Sequence, residues 1–460
     1  MAKYQAYAEY KDSGVEWLGV VPSHWIITTL KRYCYVKGGF AFSSDAFIDT
    51  GYPVIRIGDI KTDGSINLEN CKYIPESLAV NSRDYLVEKN QLLMAMTGAT
   101  IGKAGLYTSN QPAFLNQRVG KFELLAQNMN YRYLWYILKT DGYQEYIKLT
   151  AFGGAQPNIS DTAMVDYPAT IPSFDEQTQI ANFLDHETSK IDHLIEKQQQ
   201  LIELLKEKRQ AVISHAVTKG LNPNVPMKDS GVEWLGEVPQ NWTATKIGFH
   251  ALKIGSGKTP KGGAEIYQDE GVLFIRSQNV YNDGLRVDNS ESVYISEAIH
   301  DEMSTSKIYS GDILLNITGG SIGRSSLVPD KFPEANVNQH VCIIRVRKYL
   351  QEFLALVIQS DLIQAQLRSI QTGGNREGLN FEQISKFWFV LPPKDEQEQI
   401  ILFIKNKLNE FGKLEARANK AIQLMQERRT ALISAAVTGK IDVRHWQSPT
   451  VAEADTELSA

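Results

Sequence analysis

The segment IGSGKTPKGG, residues 254–263, combines glycines with lysines and hydroxyl groups, a composition that suits contact with phosphate. The phosphate-binding loop of nucleotide hydrolases needs a further glycine at position 252, where this chain has Leu252, and no strand–loop–helix pattern surrounds the segment. A flexible basic loop that approaches a nucleic-acid backbone is therefore the preferred interpretation, and a solvated turn is the alternative. In the first half of the chain, KGGFAFSS, residues 37–44, occupies the equivalent place.

Further pairs of segments carry side chains that suit nucleic acid. TGATIGK and TGGSIGR end in Lys103 and Arg324, and both cations suit phosphate. The triplets NQR (residues 116–118) and NQH (residues 338–340) offer amides that can pair with an adenine edge, and Arg118 suits guanine. Amides that cap turns inside the protein remain an equal alternative.

A second polar loop in each half follows a pair of glycines, at residues 153–154 and 373–374. Together with the preceding segments and two arginine-containing strands, these loops define the candidate DNA contacts. They are Lys37, Ser43, Arg56, Thr97, Lys103, Asn116, Gln117, Arg118, Gln156, Asn158, Ser256, Lys258, Thr259, Lys261, Arg276, Gln278, Asn279, Thr318, Arg324, Asn338, Gln339, His340, Asn375 and Arg376.

Catalytic motifs are not recognisable in the sequence. It contains no Asn-Pro-Pro-Tyr or glycine loop of an adenine methyltransferase, no HExxH and no helicase phosphate loop. Glu88 and Lys89 could be assigned to a nuclease motif, but a carboxylate next to a lysine occurs by chance in most chains. His186 and His193 lie seven residues apart on a predicted helix and are expected to be solvated. The sequence indicates recognition without catalysis and without a metal site. An enzyme with an unrecognised motif and a coiled-coil adaptor with protein-binding heads are the competing hypotheses.

These segments come in pairs because the chain is duplicated. KDSGVEWLG occurs at residues 11–19 and again at residues 228–236, an offset of 217 residues. IPSFDEQTQIANFL matches LPPKDEQEQIILFI, and AVISHAVTKG matches ALISAAVTGK. A period this long indicates a duplicated domain pair rather than a solenoid.

Each half contains an α+β domain followed by a long helix. Short β-rich runs bounded by Gly, Asn and Asp alternate with amphipathic pieces in residues 26–172 and 243–392. Residues 175–217 lack Gly and Pro and carry apolar residues at a seven-residue spacing. The equivalent segment of the second half repeats the apolar spacing. Gly220 and Gly439 are the expected helix stops.

Helices this long need an apolar partner, and each supplies a near-identical stripe to the other. We therefore expect an antiparallel coiled coil with one globule at each end, related by a pseudo-two-fold axis. A single helix crossing solvent is the alternative. The stripe residues are Leu184, Ile191, Leu194, Leu201, Leu205, Val212, Ile404, Phe411, Met425 and Leu432, with Ile195 and Ile202 beside the seam.

The composition sets broad limits. A formal net charge of −5 excludes a uniformly basic protein but not a local basic groove. Three scattered cysteines indicate neither a disulfide framework nor a zinc site. No apolar run is long enough to span a bilayer and no signal peptide is evident, so the expected location is the cytoplasm.

The chain from about Lys11 to Val443 resembles the specificity subunit of type I restriction–modification systems. The resemblance depends on GVEWLGEVP, the two IPxxxEQxxI-like helix starts, the two helix ends, GSGKTP, and the paired TGxxIG and NQ segments. It implies two tandem α/β target-recognition domains, an overall α+β class, joined by two helices that form an antiparallel coiled coil. It implies that the chain reads a bipartite double-stranded DNA sequence. It also implies two adenine methyltransferase subunits that bind S-adenosylmethionine, and restriction–translocase subunits that use ATP and Mg.

The resulting organisation has seven parts. They are an N-terminal arm (1–25), target-recognition domain 1 (26–172), a central helix (173–227), the repeated segment (228–242), target-recognition domain 2 (243–392), a C-terminal helix (393–443) and a tail (444–460). Trp17 and Trp234 are expected to be packing anchors of the frame, and the chain after Ile441 is expected to be disordered.

Overall fold

The computed structural model describes residues 4–125, 128–154, 156–260, 262–287, 292–371 and 378–448. The candidate DNA contacts Lys261, Asn375 and Arg376 lie outside these ranges. The chain divides into two compact units: unit 1 comprises Met1–Gln198 and Lys420–Ala460, and unit 2 comprises Gln199–Asn419.

Unit 1 contains mixed sheets and four short helices. Its strands are β1 (Tyr10–Asp12), β2 (Val20–Pro22), β3 (Ile26–Thr29), β4 (Cys34–Gly38), β5 (Tyr52–Ile55), β6 (Lys72–Ile74), β7 (Leu86–Val87), β8 (Leu92–Ala95), β9 (Ala104–Leu106), β10 (Ala113–Leu115), β11 (Val119–Leu124) and β12 (Pro168–Ile171). Its short helices are α1 (Glu76–Asn81), α2 (Tyr131–Leu138), α3 (Asp141–Thr150) and α4 (Asp161–Val165), and the long helix α5 (Phe174–Lys219) follows them.

Unit 2 has a similar order of elements, with two additional short strands between its counterparts of β5 and β6. Its strands are β13 (Met227–Asp229), β14 (Glu237–Pro239), β15 (Thr243–Lys246), β16 (Ala251–Ser256), β17 (Val272–Ile275), β18 (Val280–Tyr281), β19 (Gly284–Leu285), β20 (Tyr294–Ile295), β21 (Ile313–Asn316), β22 (Ser325–Leu327), β23 (Ala335–Val337), β24 (Val341–Val346) and β25 (Trp388–Leu391). Its short helices are α6 (Ile247–His250), α7 (Glu297–Glu302), α8 (Gln351–Gln359), α9 (Asp361–Gln371) and α10 (Phe381–Ser385). The long helix α11 (Lys394–Val437) begins in unit 2 and ends in unit 1, and α5 begins in unit 1 and ends in unit 2.

The sheets follow one plan in the two units. The order β4-β11-β8-β9 in unit 1 corresponds to β16-β24-β21-β22 in unit 2, and both are antiparallel. In each unit a second sheet contains one parallel pair, with Phe114 opposite Val54 in one and Phe274 opposite Asn336 in the other. The apolar runs of β8 and β21 are fully buried, as continuous hydrophobic strands should be. The predicted α+β class is confirmed.

The segment after β11 forms two helices because of a capping side chain. The Thr140 hydroxyl oxygen accepts a hydrogen bond from the Tyr143 backbone N–H at 3.3 Å, which separates α2 from α3. The preceding helix, α2, is capped by Asn130, whose side-chain oxygen Oδ1 accepts a hydrogen bond from the Arg132 backbone N–H at 2.9 Å.

A buried tryptophan and a carboxylate fasten each repeated segment to a long helix. Trp25 is fully buried in unit 1 and its Nε1 donates to Glu176 in the first turn of α5 at 3.1 Å. Trp242 is fully buried in unit 2 and its Nε1 donates to Glu396 in the first turn of α11 at 2.9 Å. In each unit, the second tryptophan of the repeated segment therefore joins that segment to the start of a long helix.

The prediction that Trp17 and Trp234 are packing anchors is wrong. Their side chains are 53% and 46% exposed, because each lies on the outer side of a turn whose inward-facing residue is the following leucine, Leu18 or Leu235. Trp17 stacks on Tyr167 with ring centroids 6.0 Å apart.

The long helices pack antiparallel within each unit. In unit 1, Arg429 of α11 pairs with Asp192 of α5 at 2.9 Å, and the carbonyl of Val437 at the end of α11 accepts from Thr170, just before α5 begins. In unit 2, Arg209 faces Gly412, and Gly220 at the end of α5 lies beside Glu396 at the start of α11. The predicted coiled coil and its helix stops are confirmed.

Two positions predicted to lie in the coiled-coil seam, Leu194 and Leu201, lie outside it. Leu194 and Leu201 are 47% and 40% exposed, whereas Ile202 is buried and Ile195 packs against the core of unit 1. An α-helix returns to the same face after alternating steps of three and four residues, so the seam passes from Ile191 to Ile195. The remaining predicted positions are buried (Leu184, Ile191, Leu205, Ile404, Phe411 and Leu432) or half-buried (Val212 and Met425).

The prediction that the chain is disordered after Ile441 is wrong for residues 442–446, which are ordered. Ile441 and Val443 are buried, and Trp446 packs against the rings of Phe183 and His186 at 5.7 and 5.6 Å. His186 is consequently covered rather than solvated, and its Nε2 is buried without a hydrogen-bond partner among the described residues. Three apolar side chains close to the chain end bury enough surface to fix this segment.

Within the described residues, no helix has both the length and the apolar character that crossing a bilayer requires. Cys34, Cys71 and Cys342 are buried free thiols. Burial raises the pKa of Cys34 and of Cys342 to about 12, so both remain protonated at neutral pH.

The corrected seam predicts unequal effects for two adjacent residues. Ile202→Ala should lower the free energy of unfolding by about 2–4 kcal/mol because it leaves a cavity between the helices. Leu201→Ala, the matched control on the exposed face, should cost less than about 1 kcal/mol. Urea unfolding followed by far-UV circular dichroism measures both. Equal losses would contradict the seam described here.

Candidate nucleic-acid interface

A groove of about 670 Å³ in unit 1 gathers candidate DNA contacts from three separate loops. Thr97 follows β8, Gln117 and Arg118 lie between β10 and β11, and Gln156 and Asn158 come from the loop between α3 and α4. These five residues are up to about 60 positions apart in the chain, yet they line one surface.

Backbone hydrogen bonds hold the three loops together. Met96 N–H donates to the Arg118 carbonyl at 2.9 Å, Ile159 N–H donates to the Met96 carbonyl at 3.1 Å, and Gly98 N–H donates to the Pro157 carbonyl at 2.8 Å. Because the loops are joined through their main chains, the side chains that line the groove have fixed starting points.

The groove side chains are available for a ligand. Gln117, Arg118, Gln156 and Asn158 are exposed, and the described residues give the Arg118 guanidinium no ion pair or hydrogen bond. The Thr97 hydroxyl is buried and has no hydrogen-bond partner among the described residues. A groove with unpaired amides, a free guanidinium and an unpaired hydroxyl can form hydrogen bonds with base edges and phosphates.

The other unit 1 candidates lie outside the lining of this groove. Lys37 pairs with Asp84 at 3.6 Å, and the Arg56 guanidinium donates to the Asn70 carbonyl at 3.3 Å. Ser43 is exposed, and Lys103 and Asn116 are half-buried.

Sequence reasoning missed the remaining lining residues of the groove. Phe152, Ser160, Asp161 and Thr162 flank the candidate polar loop on both sides. Burial raises the pKa of Asp161, and a hydrogen bond from the Gly38 backbone N–H opposes that shift. Their location close to the glycine pair at residues 153–154 was the signal that could have identified them as groove residues. Their residue types alone did not distinguish them from ordinary loop residues.

Unit 2 places related side chains on the same loops but pairs them with each other. His340, at the position of Arg118, has its Nδ1 hydrogen-bonded to the Thr318 hydroxyl at 2.6 Å. Ile317 N–H donates to the His340 carbonyl at 3.0 Å, and Leu379 N–H donates to the Ile317 carbonyl at 2.8 Å. Gln339 is exposed beside them. The two units therefore share a backbone arrangement and differ in the side chains presented.

Arg324 belongs to a different surface of unit 2. Its guanidinium lies 5.0 Å from the Tyr281 ring centre, and the guanidinium of Arg286 lies 3.6 Å from the same ring. The three residues line a cleft of about 1140 Å³ together with Lys206 and Arg209. Tyr281 and Arg286 were missed by sequence reasoning, although the Asn-Asp-Gly turn between them is a hairpin signal.

Two candidates make hydrogen bonds within turns of the protein, and their contact with DNA stays a prediction. Asn279 is buried. Its side-chain oxygen Oδ1 accepts a hydrogen bond from the Arg276 backbone N–H at 2.9 Å, and its side-chain Nδ2 donates to the Arg286 backbone carbonyl at 2.9 Å. Asn338 is also buried and accepts from the His340 backbone N–H at 3.1 Å. Asn279 uses both its side-chain oxygen and its NH2 group within this turn, and Asn338 uses its side-chain oxygen.

The second glycine of GSGK, Gly257, allows two backbone segments to approach closely. A Cβ added to Gly257 would lie 1.6 Å from the Val337 carbonyl oxygen, and one added to Gly39 in unit 1 would lie 2.2 Å from the Asn116 carbonyl oxygen. Only glycine allows this close approach of two backbones. Lys258 and Thr259 are exposed next to it, and Ser256 is half-buried on β16. Of the remaining candidates, Gln278 is exposed, whereas Arg276 is half-buried with its guanidinium 5.9 Å from the Tyr267 ring centre.

The comparisons with known proteins agree with this architecture. The family model of the type I restriction modification DNA specificity domain matches residues 22–204 and 239–424. The EcoBI specificity subunit of Escherichia coli is 25% identical over 452 residues, covering 96% of this chain and 91% of that one. The putative MjaX specificity subunit of Methanocaldococcus jannaschii is 22% identical over 447 residues, covering 96% and 99%.

Solved structures share the fold. A chain from a study of complex assembly and conformational transition of the type I R-M system has a TM-score of 0.69 at 12% identity, over 92% of this chain and 99% of that chain. The HsdS subunit from Thermoanaerobacter tengcongensis has a TM-score of 0.50 at 13% identity, over 92% and 98%.

The fold and the paired recognition loops thus define a duplicated DNA-recognition protein. The chain belongs to the family of type I restriction–modification specificity subunits, and the resemblance found in the sequence is confirmed.

The turn around Asn279 gives a test within this site. Asn279→Ala should lower the free energy of unfolding by about 1–3 kcal/mol because it leaves a buried N–H and a buried carbonyl without partners. Gln278→Ala, which alters the exposed neighbouring amide, should have little effect on stability. Thermal unfolding of both variants measures the difference. An unchanged Asn279→Ala protein would show that these hydrogen bonds do not stabilise the fold.

Proposed function

We propose that this chain is the non-catalytic specificity subunit of a type I restriction–modification complex and reads a bipartite, asymmetric DNA target, one half-site per recognition domain. The observation that carries the proposal is the unit 1 groove, where Thr97, Gln117, Arg118, Gln156 and Asn158 converge. Two recognition domains with one backbone plan and different side chains, such as Arg118 and His340, suit two different half-sites.

The side-chain types indicate which part of the DNA each residue would contact. Arg118 can donate two hydrogen bonds to the O6 and N7 of a guanine, and the neighbouring amides can pair with adenine. Lys103 and Arg324 would contact phosphate, which positions the protein without reading sequence.

The proposed partners supply the chemistry that this chain lacks. It would scaffold two adenine methyltransferase subunits, which bind S-adenosylmethionine, and restriction–translocase subunits, which use ATP and Mg. No cofactor is assigned to the chain itself. Its location in the cytoplasm stays a prediction.

The guanine assignment makes a specific prediction. Arg118→Ala should weaken binding of the assembled complex to its target duplex by about 1–3 kcal/mol and relax specificity at one base pair of one half-site. Competition binding with single-base substitutions measures this. Lys148→Ala, which removes an exposed cation elsewhere in unit 1, is the matched control and should leave specificity unchanged. A uniform loss across all sequences would reassign Arg118 to phosphate.

The whole function is tested by single-molecule sequencing of modified bases in host DNA with this gene intact and deleted. We expect one bipartite methyladenine motif to disappear on deletion, which reveals both half-sites. If no motif changes, DNA binding by the purified complex decides the question. Salt-dependent binding that leaves the DNA unaltered without the partner subunits supports a reading scaffold. Cleavage or modification by the chain alone would indicate an enzyme, and the absence of any salt dependence would indicate a protein-binding adaptor.

A further inference from the structure

Thr97 and Thr318 occupy equivalent positions and have the same backbone conformation. Each precedes a short 3-10 turn, with φ and ψ of −143° and 156° at Thr97 and of −142° and 158° at Thr318. Neither hydroxyl caps the turn that follows it. The local backbone therefore does not need either hydroxyl, and both are left for contacts with neighbouring side chains.

The two hydroxyl groups differ in their partners. The Thr97 hydroxyl is buried and has no hydrogen-bond partner among the described residues, and the nearby Arg118 side chain offers donors only. The Thr318 hydroxyl lies 2.6 Å from Nδ1 of His340, which holds the position of Arg118 in unit 2. Because unit 1 has the same loop conformation with its hydroxyl unpaired, the fold does not require the bond between Thr318 and His340.

Contacts on both sides hold this pair in place. A Cβ added to Gly378 would lie 2.5 Å from Cγ2 of Thr318 and 2.1 Å from the Ile317 carbonyl oxygen, so the Gly378 backbone packs against the threonine methyl group. The His340 carbonyl accepts from the Ile317 N–H at 3.0 Å, and its N–H donates to Oδ1 of Asn338 at 3.1 Å. A β-branched side chain has few rotamers, so a fixed methyl group also fixes the direction of the Thr318 hydroxyl.

This hydrogen bond determines which ring nitrogen of His340 carries the hydrogen of the neutral imidazole. Among the described residues, Nδ1 is the one partner of the Thr318 hydroxyl. If Nδ1 donated, the hydroxyl hydrogen would have no acceptor there, and proteins leave donors unsatisfied less often than oxygen lone pairs. The hydroxyl therefore donates to Nδ1, which places the ring hydrogen on Nε2.

Nε2 of His340 is available to a ligand. The described residues give it no hydrogen-bond partner, the ring is half-buried, and the neighbouring Gln339 is exposed. A free Nε2–H pairs with major-groove acceptors, which are O6 and N7 of guanine, N7 of adenine and O4 of thymine. The N4 amino group of cytosine offers hydrogen atoms instead, so a donor at this position rejects cytosine.

We propose that His340 reads a base with a major-groove acceptor in the second half-site, and that Thr318 is the positioning residue that holds the hydrogen on Nε2 and thereby excludes cytosine. The inference rests on the proposed function, in which unit 2 reads one half-site. Without the Thr318 hydroxyl both tautomers become accessible, and an Nε2 that accepts a hydrogen bond can pair with the amino group of cytosine.

The experiment uses the full chain assembled with its methyltransferase subunits and the duplex target found by modified-base sequencing. Competition binding compares all four base pairs at each position of the second half-site. The wild-type complex discriminates against cytosine at one position by about tenfold or more, and His340→Ala abolishes this discrimination. Thr318→Val, which keeps the shape of the side chain, removes most of it, mainly because the cytosine duplex binds more tightly. Thr318→Ser restores it.

Tighter binding of a non-cognate duplex distinguishes positioning from general support of the fold, because a damaged loop weakens binding to every duplex. Thr305→Val, which removes an exposed hydroxyl elsewhere in unit 2, is the matched control and leaves the base profile unchanged. Melting temperatures identify any variant that fails to fold.

The tautomer is measured without DNA by nitrogen NMR of the full chain labelled at histidine, at mildly alkaline pH where imidazole is neutral. The signal that disappears in His340→Ala belongs to this residue. We expect its hydrogen on Nε2 in the wild-type chain and on both nitrogens in Thr318→Val. This measurement decides the role of Thr318 even if the valine variant does not fold, because a hydrogen on Nδ1 of the wild-type ring overturns it.

The outcomes separate this inference from the proposed function. Unchanged discrimination by His340→Ala, or a preference for cytosine that depends on His340, overturns the inference, while sequence-specific binding by the wild-type complex still supports the proposed function. Full discrimination by Thr318→Val, or weaker binding of every duplex without a gain for cytosine, overturns the positioning role. A wild-type complex without sequence-specific binding overturns the proposed function and the inference together.

Discussion

A carboxylate in the first turn of each long helix, buried at Glu176 and half-buried at Glu396, accepts the tryptophan hydrogen bond on which each unit depends. An isolated carboxylate in a protein interior costs several kcal/mol, and hydrogen bonds must offset that cost. Glu176 receives them from the Tyr7 hydroxyl at 2.7 Å, from Trp25 Nε1 at 3.1 Å and from the His24 ring at 3.1 Å. Burial, and then its hydrogen bond to Glu176, raise the pKa of Tyr7 far above the ordinary value, so this donor keeps its proton. The arm, residues 1–25, is thereby joined to the long helix α5 at one charged group.

The sequence predicts the large features because they repeat and have strong periodicity. The duplication, the α+β class, the long helices and their glycine stops all follow from spacing and from Gly and Pro positions. Spacing did not separate Leu194 from Ile195, because both are large aliphatic residues one position apart on the same stretch of helix. Only the packed partner helix determines which of them is buried. The same limit applies to Trp17 and Trp25, which belong to one segment and differ in exposure through the direction of a turn.

The recognition groove was predicted in part for a similar reason. Residue type identified Gln117, Arg118, Gln156 and Asn158 as polar side chains able to contact bases, and the structure brings them together through bonds between loop backbones. The type of residue did not show that Asn279 is already satisfied inside a turn, because a buried cap and a base-reading amide have the same chemistry. Burial and hydrogen-bond partners distinguish them, and neither is encoded in a short motif.

The two ends of the chain meet in unit 1, where Asp442 N–H donates to the Gln5 carbonyl at 2.8 Å and the Tyr10 hydroxyl donates to the Gly439 carbonyl at 3.0 Å. Unit 2 is contiguous in the chain, whereas unit 1 also includes residues 420–460, which are translated after all of unit 2. At about 5–20 residues per second, the ribosome needs on the order of tens of seconds to synthesise the intervening segment. During that time, the apolar face formed by Leu184 and Ile191 has no α11 to cover it. The order of synthesis therefore places all of unit 2 before the last part of unit 1, which completes the core around Leu184 and Ile191.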